Sequence, residues 1–149
     1  MLLKTHLAIT LAFILLFINS VESKLVFVIV ALIATYIPDV DSRYSTLGRK
    51  KINRILQLFT KHRGMIHSFS FLLTITLFLI LFFPVLAFGF FLGYGLHLFA
   101  DSFTKDGIRP FYPWKKRAYG FVKTGGRIEV IILVGFVIAD IALVFLRIF

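Results

Sequence analysis

Residues 85–104 read Val-Leu-Ala-Phe-Gly-Phe-Phe-Leu-Gly-Tyr-Gly-Leu-His-Leu-Phe-Ala-Asp-Ser-Phe-Thr. The stretch is apolar until it closes on His97 and Asp101. In a helix those two residues are i and i+4, so they share a face and can grip one ion. A histidine and a carboxylate at the end of so apolar a run are costly, and by default they mark a functional site. Gly93 and Gly95 lie about one turn earlier and read as small residues that let a neighbouring helix or a substrate come close.

The whole chain is built in the same way. Of its 149 residues 59% are hydrophobic, nineteen are Phe, and the mean hydropathy is +0.93. A soluble domain is nearer 45–50% apolar. These values imply an all-α integral membrane bundle forming one domain over residues 1–149. The absence of cysteine excludes disulfides and thiolate metal sites. A nucleic-acid binder with a net charge of +10 would be polar between its charges, and this chain is not. The charge reads instead as retention at one membrane face, against anionic headgroups.

Outward from the central stretch, five apolar runs are legible. The first covers residues 2–18, with Lys4 and His6 near its start; it reads either as a secretory signal cleaved near Val21-Glu22-Ser23 or as a retained first helix. The second, Leu25 to Ile37, stops at Pro38-Asp39-Val40-Asp41. Thirteen residues of helix span only about 20 Å, so this run either extends backward or ends below the interface. Residues 42–63 are basic, and Ile52, Ile55, Leu56 and Phe59 recur at helical spacing, which predicts a short amphipathic interfacial helix. The third run follows His62-Arg63-Gly64-Met65-Ile66-His67-Ser68 and reaches Phe83, and Pro84 marks the turn into the fourth. A second basic loop covers 102–127, with Tyr112 and Trp114 as interfacial anchors. The fifth run, Ile128 to Phe149, starts with Glu129 and carries Asp140, assigned to a buried polar contact.

With five spans and the N-terminus inside, fifteen of the seventeen Lys and Arg residues fall on the cytoplasmic side, as the positive-inside rule requires. On that topology all four histidines, together with Asp39, Asp41, Asp101 and Glu129, lie at segment ends on the same face. Imidazole and carboxylate without cysteine suit zinc, manganese or iron. The ligand surplus points to two ions, or to one ion plus a general acid or base. Arg63, Lys105 and Arg109 are nearby cations suited to a phosphate.

The motifs Ile-Pro-Asp-Val-Asp-Ser (37–42), His-Arg-Gly-Met-Ile-His-Ser (62–68), Gly-Tyr-Gly-Leu-His-Leu-Phe-Ala-Asp (93–101) and Asp-Gly-Ile-Arg-Pro-Phe-Tyr-Pro (106–113), with a histidine near the N-terminus, resemble the YdjM-like family of membrane-bound metal-dependent hydrolases. The likeness runs in order along nearly the whole chain, with Ile66 where the family typically has Thr and Leu96 where it often has Ser. The order of ligands is also similar to that of the zinc-dependent phospholipase C and P1 nuclease group. The resemblance implies a hydrolase with a divalent metal cofactor and favours a phosphoester of a lipid or lipid-linked substrate at the cytoplasmic face. His6, Asp39, His62, His67, His97 and Asp101 would then be ligands. Asp41 or Glu129 would be ligand or general base, and Arg63 would hold the phosphate with Lys105 and Arg109. Two other readings use the same residues: a metal or proton transporter, and a structural protein whose metal ties helix ends together.

Overall fold

The computed structural model describes residues 1–41 and 65–148. Among these the chain forms five α-helices and no strands: α1 (Leu3–Phe17), α2 (Lys24–Tyr36), α3 (Phe69–Phe82), α4 (Pro84–Ser102) and α5 (Arg127–Ile148). The expected amphipathic helix lies outside the described residues. Three stretches, Leu3–Ser20, Pro84–Ser102 and Arg127–Arg147, are long and apolar enough to cross a membrane. Helices α2 and α3 have 13 and 14 residues, each about 20 Å long, against a hydrocarbon core of about 30 Å. Thus three of the five expected spans have full crossing length, and α2 keeps the short form that its apolar run foreshadowed.

Helix α4 is the hub. It packs against α2 on one side and α3 on another, while α1 lies against α2, α4 and α5. The α2–α4 contact is backbone to backbone. A Cβ added at Gly93 would stand 2.0 Å from the Ala31 carbonyl oxygen, and one at Gly89 would stand 3.0 Å from that of Phe27. Two glycines four residues apart therefore create the groove that receives α2, the device that lets helices associate where lipid supplies no hydrophobic drive. Gly95, also expected at a close approach, faces α3 instead, and a Cβ there would meet only Leu72 Cδ2 at 3.4 Å. Around this contact Ala34, Leu72, Phe90, Tyr94, Leu98 and Ile108 form a buried core.

Local signals set the helix ends. Ser68 caps α3, accepting a hydrogen bond from Phe71 N at 3.2 Å, and Pro84 opens α4 at the position where a missing N–H costs nothing. The basic loop after α4 is tied down on both sides. Thr104 Oγ1 donates to Asp101 O at 2.7 Å and accepts from Gly107 N. Ile108 and Ala118 exchange two backbone hydrogen bonds, closing residues 109–117 into a loop. Phe69 N, at the start of α3, donates to Pro110 O at 2.8 Å.

Candidate metal centre

Four segments deliver five of the expected ligands to one buried place. Helix α1 brings His6 on its second turn. Pro38 lacks the N–H that would continue α2, so the chain tightens into a 3-10 turn, Ile37–Asp41, that carries Asp39. His67 lies two residues before α3, fixed by the Ser68 cap. His97 and Asp101 sit on one face of α4, as their spacing required. His6, His67, His97 and Asp101 are all buried, and the Asp39 side chain is the most exposed of the five at 18%.

His97 anchors the arrangement. Its Nδ1 lies 2.8 Å from the Thr35 carbonyl oxygen. A carbonyl only accepts, so Nδ1 carries the proton and Nε2 keeps its lone pair. That Nε2 is buried and has no hydrogen-bond partner among the described residues; it lies 3.7 Å from Asp101 Oδ2 and 3.9 Å from Asp39 Oδ1. The His6 ring stacks on His97, with centroids 3.9 Å apart and planes within 10°. Two imidazolium rings would repel in that position, so the pair suits neutral, ligating imidazoles. His6 Nε2 is 3.3 Å from Asp101 Oδ1, and His67 Nε2 is 3.8 Å from Asp101 Oδ2. The α-ammonium of Met1 also contacts Asp101 Oδ1.

Asp101 thus turns one oxygen to His6 and the other to His67 and His97. Two overlapping ligand groups result: His6, His97 and Asp101, and Asp39, His67 and His97, with the offered atoms of each within 4.8 Å of one another. Ligands held 2.0–2.1 Å from a tetrahedral ion stand roughly 3.3 Å apart, close to the His6–Asp101 and His97–Asp101 separations. His6 Nδ1 and His97 Nε2 are buried with no hydrogen-bond partner among the described residues, carboxylates stand beside them and no sulfur is present, a donor set that fits a divalent cation. Burial pushes the Asp39 carboxyl above its ordinary range, with His6 acting the other way, so a proton competes with a cation at that ligand.

The supporting contacts were not foreseen. Thr35 Oγ1 donates to Ala31 O at 2.8 Å and lies 3.0 Å from Thr10 Oγ1, which fixes the carbonyl that orients His97. The only sequence signal was a buried-type hydroxyl in each of two apolar runs. Glu129, expected as ligand or base, sits outside both groups: it accepts from Leu2 N at 2.5 Å, Thr5 Oγ1 at 2.9 Å and Gly125 N at 2.6 Å. It ties the start of α1, and with it His6, to the start of α5. Lys105 is exposed. Arg109 is half-buried, and its Nε has no hydrogen-bond partner among the described residues. Asp140 is buried on α5, also outside both groups. His62, Arg63 and the Asp41 side chain lie outside the described part of the structure.

No curated protein and no solved structure matches the chain. A family model does match, over residues 1–148, and the chain belongs to the YdjM inner membrane protein family.

Proposed function

We propose that the protein is a membrane-embedded, metal-dependent hydrolase that cleaves a phosphoester bond at the cytoplasmic face. The observation that carries this reading is the convergence of His6, Asp39, His67, His97 and Asp101 from four separate segments, with His97 Nε2 preset as a lone-pair donor. A divalent cation held there supplies Lewis acidity toward a phosphoryl oxygen and a bound water acidic enough to ionise near neutral pH. The chain's own contribution is to hold the ligands. Thr35 fixes the His97 ring and the His97 tautomer, Thr104 and the loop it staples fix the end of α4 at Asp101, and Glu129 fixes the helix that carries His6. In this reading substrate approaches from the side of Asp39, the most exposed of the five. Arg63, Lys105 and Arg109 are then the cations that would meet the phosphate, and the cytoplasmic assignment of that face rests on the positive-inside bias expected from the sequence.

The near-complete burial of the other four ligands favours a second reading, in which the ion ties helix ends together and performs no chemistry. Two measurements on detergent-purified protein separate these readings. Elemental analysis should find a transition metal in the wild type and lose it in His97→Ala and Asp101→Ala. Release of phosphate or headgroup from lipid phosphoesters should require that metal. Protein that neither contains nor takes up a transition metal would overturn both readings. Metal-loaded protein with no turnover on any lipid phosphoester, and with stability lost on chelation, would leave the structural ion.

A further inference from the structure

The loop that follows Asp101 carries a feature that the metal cluster does not use. Between Ile108 and Ala118 the closed loop forms a cavity of about 380 Å3 lined by Pro110, Phe111, Trp114 and Lys116, within the size range of small-molecule sites. Its lining is mostly apolar, and Lys116 is the one charged residue on it. Phe111, Tyr112, Trp114, Tyr119 and Phe121 are exposed, Trp114 by 69%, and aromatic side chains in that state belong at a membrane interface. From 107 to 128 the sequence holds six cations, Arg109, Lys115, Lys116, Arg117, Lys123 and Arg127, and no acid. The loop is also rigidly referred to the metal ligands. Pro110 O is hydrogen-bonded by Phe69, two residues after His67, and Thr104 Oγ1 bonds the carbonyl of Asp101 itself.

We infer that this loop cavity is the docking site for a membrane phospholipid with an anionic headgroup, seated against the wall formed by Pro110, Phe111 and Trp114, with its phosphate at Lys116. The inference rests on the hydrolase reading, since it names the substrate class, but the geometry that carries it lies outside the metal cluster. The apolar walls select an amphiphile over a free anion. The excess of cations in this stretch selects a negative headgroup over a zwitterion, because each Lys or Arg near the surface strengthens the attraction to anionic lipid about fivefold. Arg109, immediately before the cavity-lining Pro110, has an Nε with no hydrogen-bond partner among the described residues and adds to the same selection.

Trp114 is the chain's single tryptophan, so its emission reports the cavity directly. Chelator-stripped, full-length protein in a neutral detergent is titrated with short-chain phosphatidic acid, short-chain phosphatidylcholine and inorganic phosphate. The expected result is a saturable blue shift with phosphatidic acid, at least about fivefold weaker binding of phosphatidylcholine, and no shift with phosphate. Lys116→Gln, an exposed change whose thermal midpoint should match the wild type, weakens phosphatidic acid binding by a similar factor, and Phe111→Ala weakens both lipids. Equal affinity for the two lipids would reduce the loop to an interfacial anchor and overturn the inference. So would a wild-type titration in Lys116→Gln, or displacement of lipid by free phosphate at comparable concentration. His97→Ala should titrate as wild type while losing metal. Lipid binding without metal in any preparation would therefore sink the hydrolase reading alone, and metal without lipid selectivity would sink this inference alone.

Discussion

Substituting Gly93 by alanine should damage the metal centre although residue 93 touches no ligand. The added Cβ would lie 2.0 Å from the Ala31 carbonyl oxygen and 3.0 Å from Ala31 Cα. To reach an ordinary C···O separation, α2 and α4 must part by roughly 1.3 Å. Backbone is what stands in the way, so no side-chain rotation relieves the clash. One turn further along both helices, Thr35 O and His97 Nδ1 are joined at 2.8 Å, and the same separation would stretch that bond to about 4 Å, beyond hydrogen-bonding range. His97 then loses the contact that fixes its ring and its tautomer. Loss of such an outer partner typically lowers metal affinity by about 10–100-fold, and overpacking adds about 1–3 kcal/mol of destabilisation. The assay is competition for bound metal against a chelator series, with thermal unfolding in the same detergent. Gly95→Ala, which meets only Leu72 Cδ2, and Gly135→Ala, which meets nothing within 4 Å, are the controls and should keep wild-type affinity. Wild-type affinity in Gly93→Ala as well would refute the claim that the α2–α4 contact sets the His97 geometry.

Further expectations follow from the same contacts. Thr35→Val removes the hydroxyl bonded to Thr10 and Ala31 but keeps the carbonyl, so it should cost about 1 kcal/mol in stability and loosen metal binding less than Gly93→Ala does. Glu129→Gln weakens a carboxylate that accepts from Leu2, Thr5 and Gly125. It should destabilise the protein by about 1–3 kcal/mol and loosen metal binding through His6, and a change confined to turnover with stability intact would instead make Glu129 part of the chemistry. Ser68→Ala deletes the α3 cap and should cost about 1 kcal/mol, read as a lower thermal midpoint. Chelation of wild-type protein should lower the midpoint, the drop following the logarithm of one plus the ratio of free metal to its dissociation constant, an effect absent from Asp101→Asn.

The five residues that cluster were legible because each obeys a local rule. His97 and Asp101 are i and i+4 at the end of an apolar run, Asp39 follows a proline that stops a helix, and His6 and His67 stand at segment starts. Polar groups at apolar boundaries betray themselves by their cost, whatever the fold. What the sequence hid is tertiary. Glu129 looked like its neighbours at other segment ends, yet its acceptors are filled by Leu2 and Thr5, more than 120 residues away. Gly89 and Gly93, rather than Gly93 and Gly95, face α2, because helical spacing groups residues four apart and the identity of the facing helix decides which pair matters. Thr35 acts through its main chain, which carries no side-chain signature at all. The five apolar runs match the five described helices, but crossing length was not uniform: α2 and α3, at 13 and 14 residues, are the short ones, and both pack on the longer α4.

The clamp of Glu129 on Leu2 and Thr5 also constrains biogenesis. Ribosomes release α1 first, but neither Asp101 nor Glu129 exists until the chain is mostly made. Until Asp101 and Glu129 are made, His6 lacks the carboxylate it faces in the folded protein and the start of α1 lacks its acceptor. Glu129 supplies that clamp only once α5 is in place. The first described helix is therefore among the last to be fixed, and premature termination just before residue 129 would leave all five clustered residues in the chain with His6 unsecured.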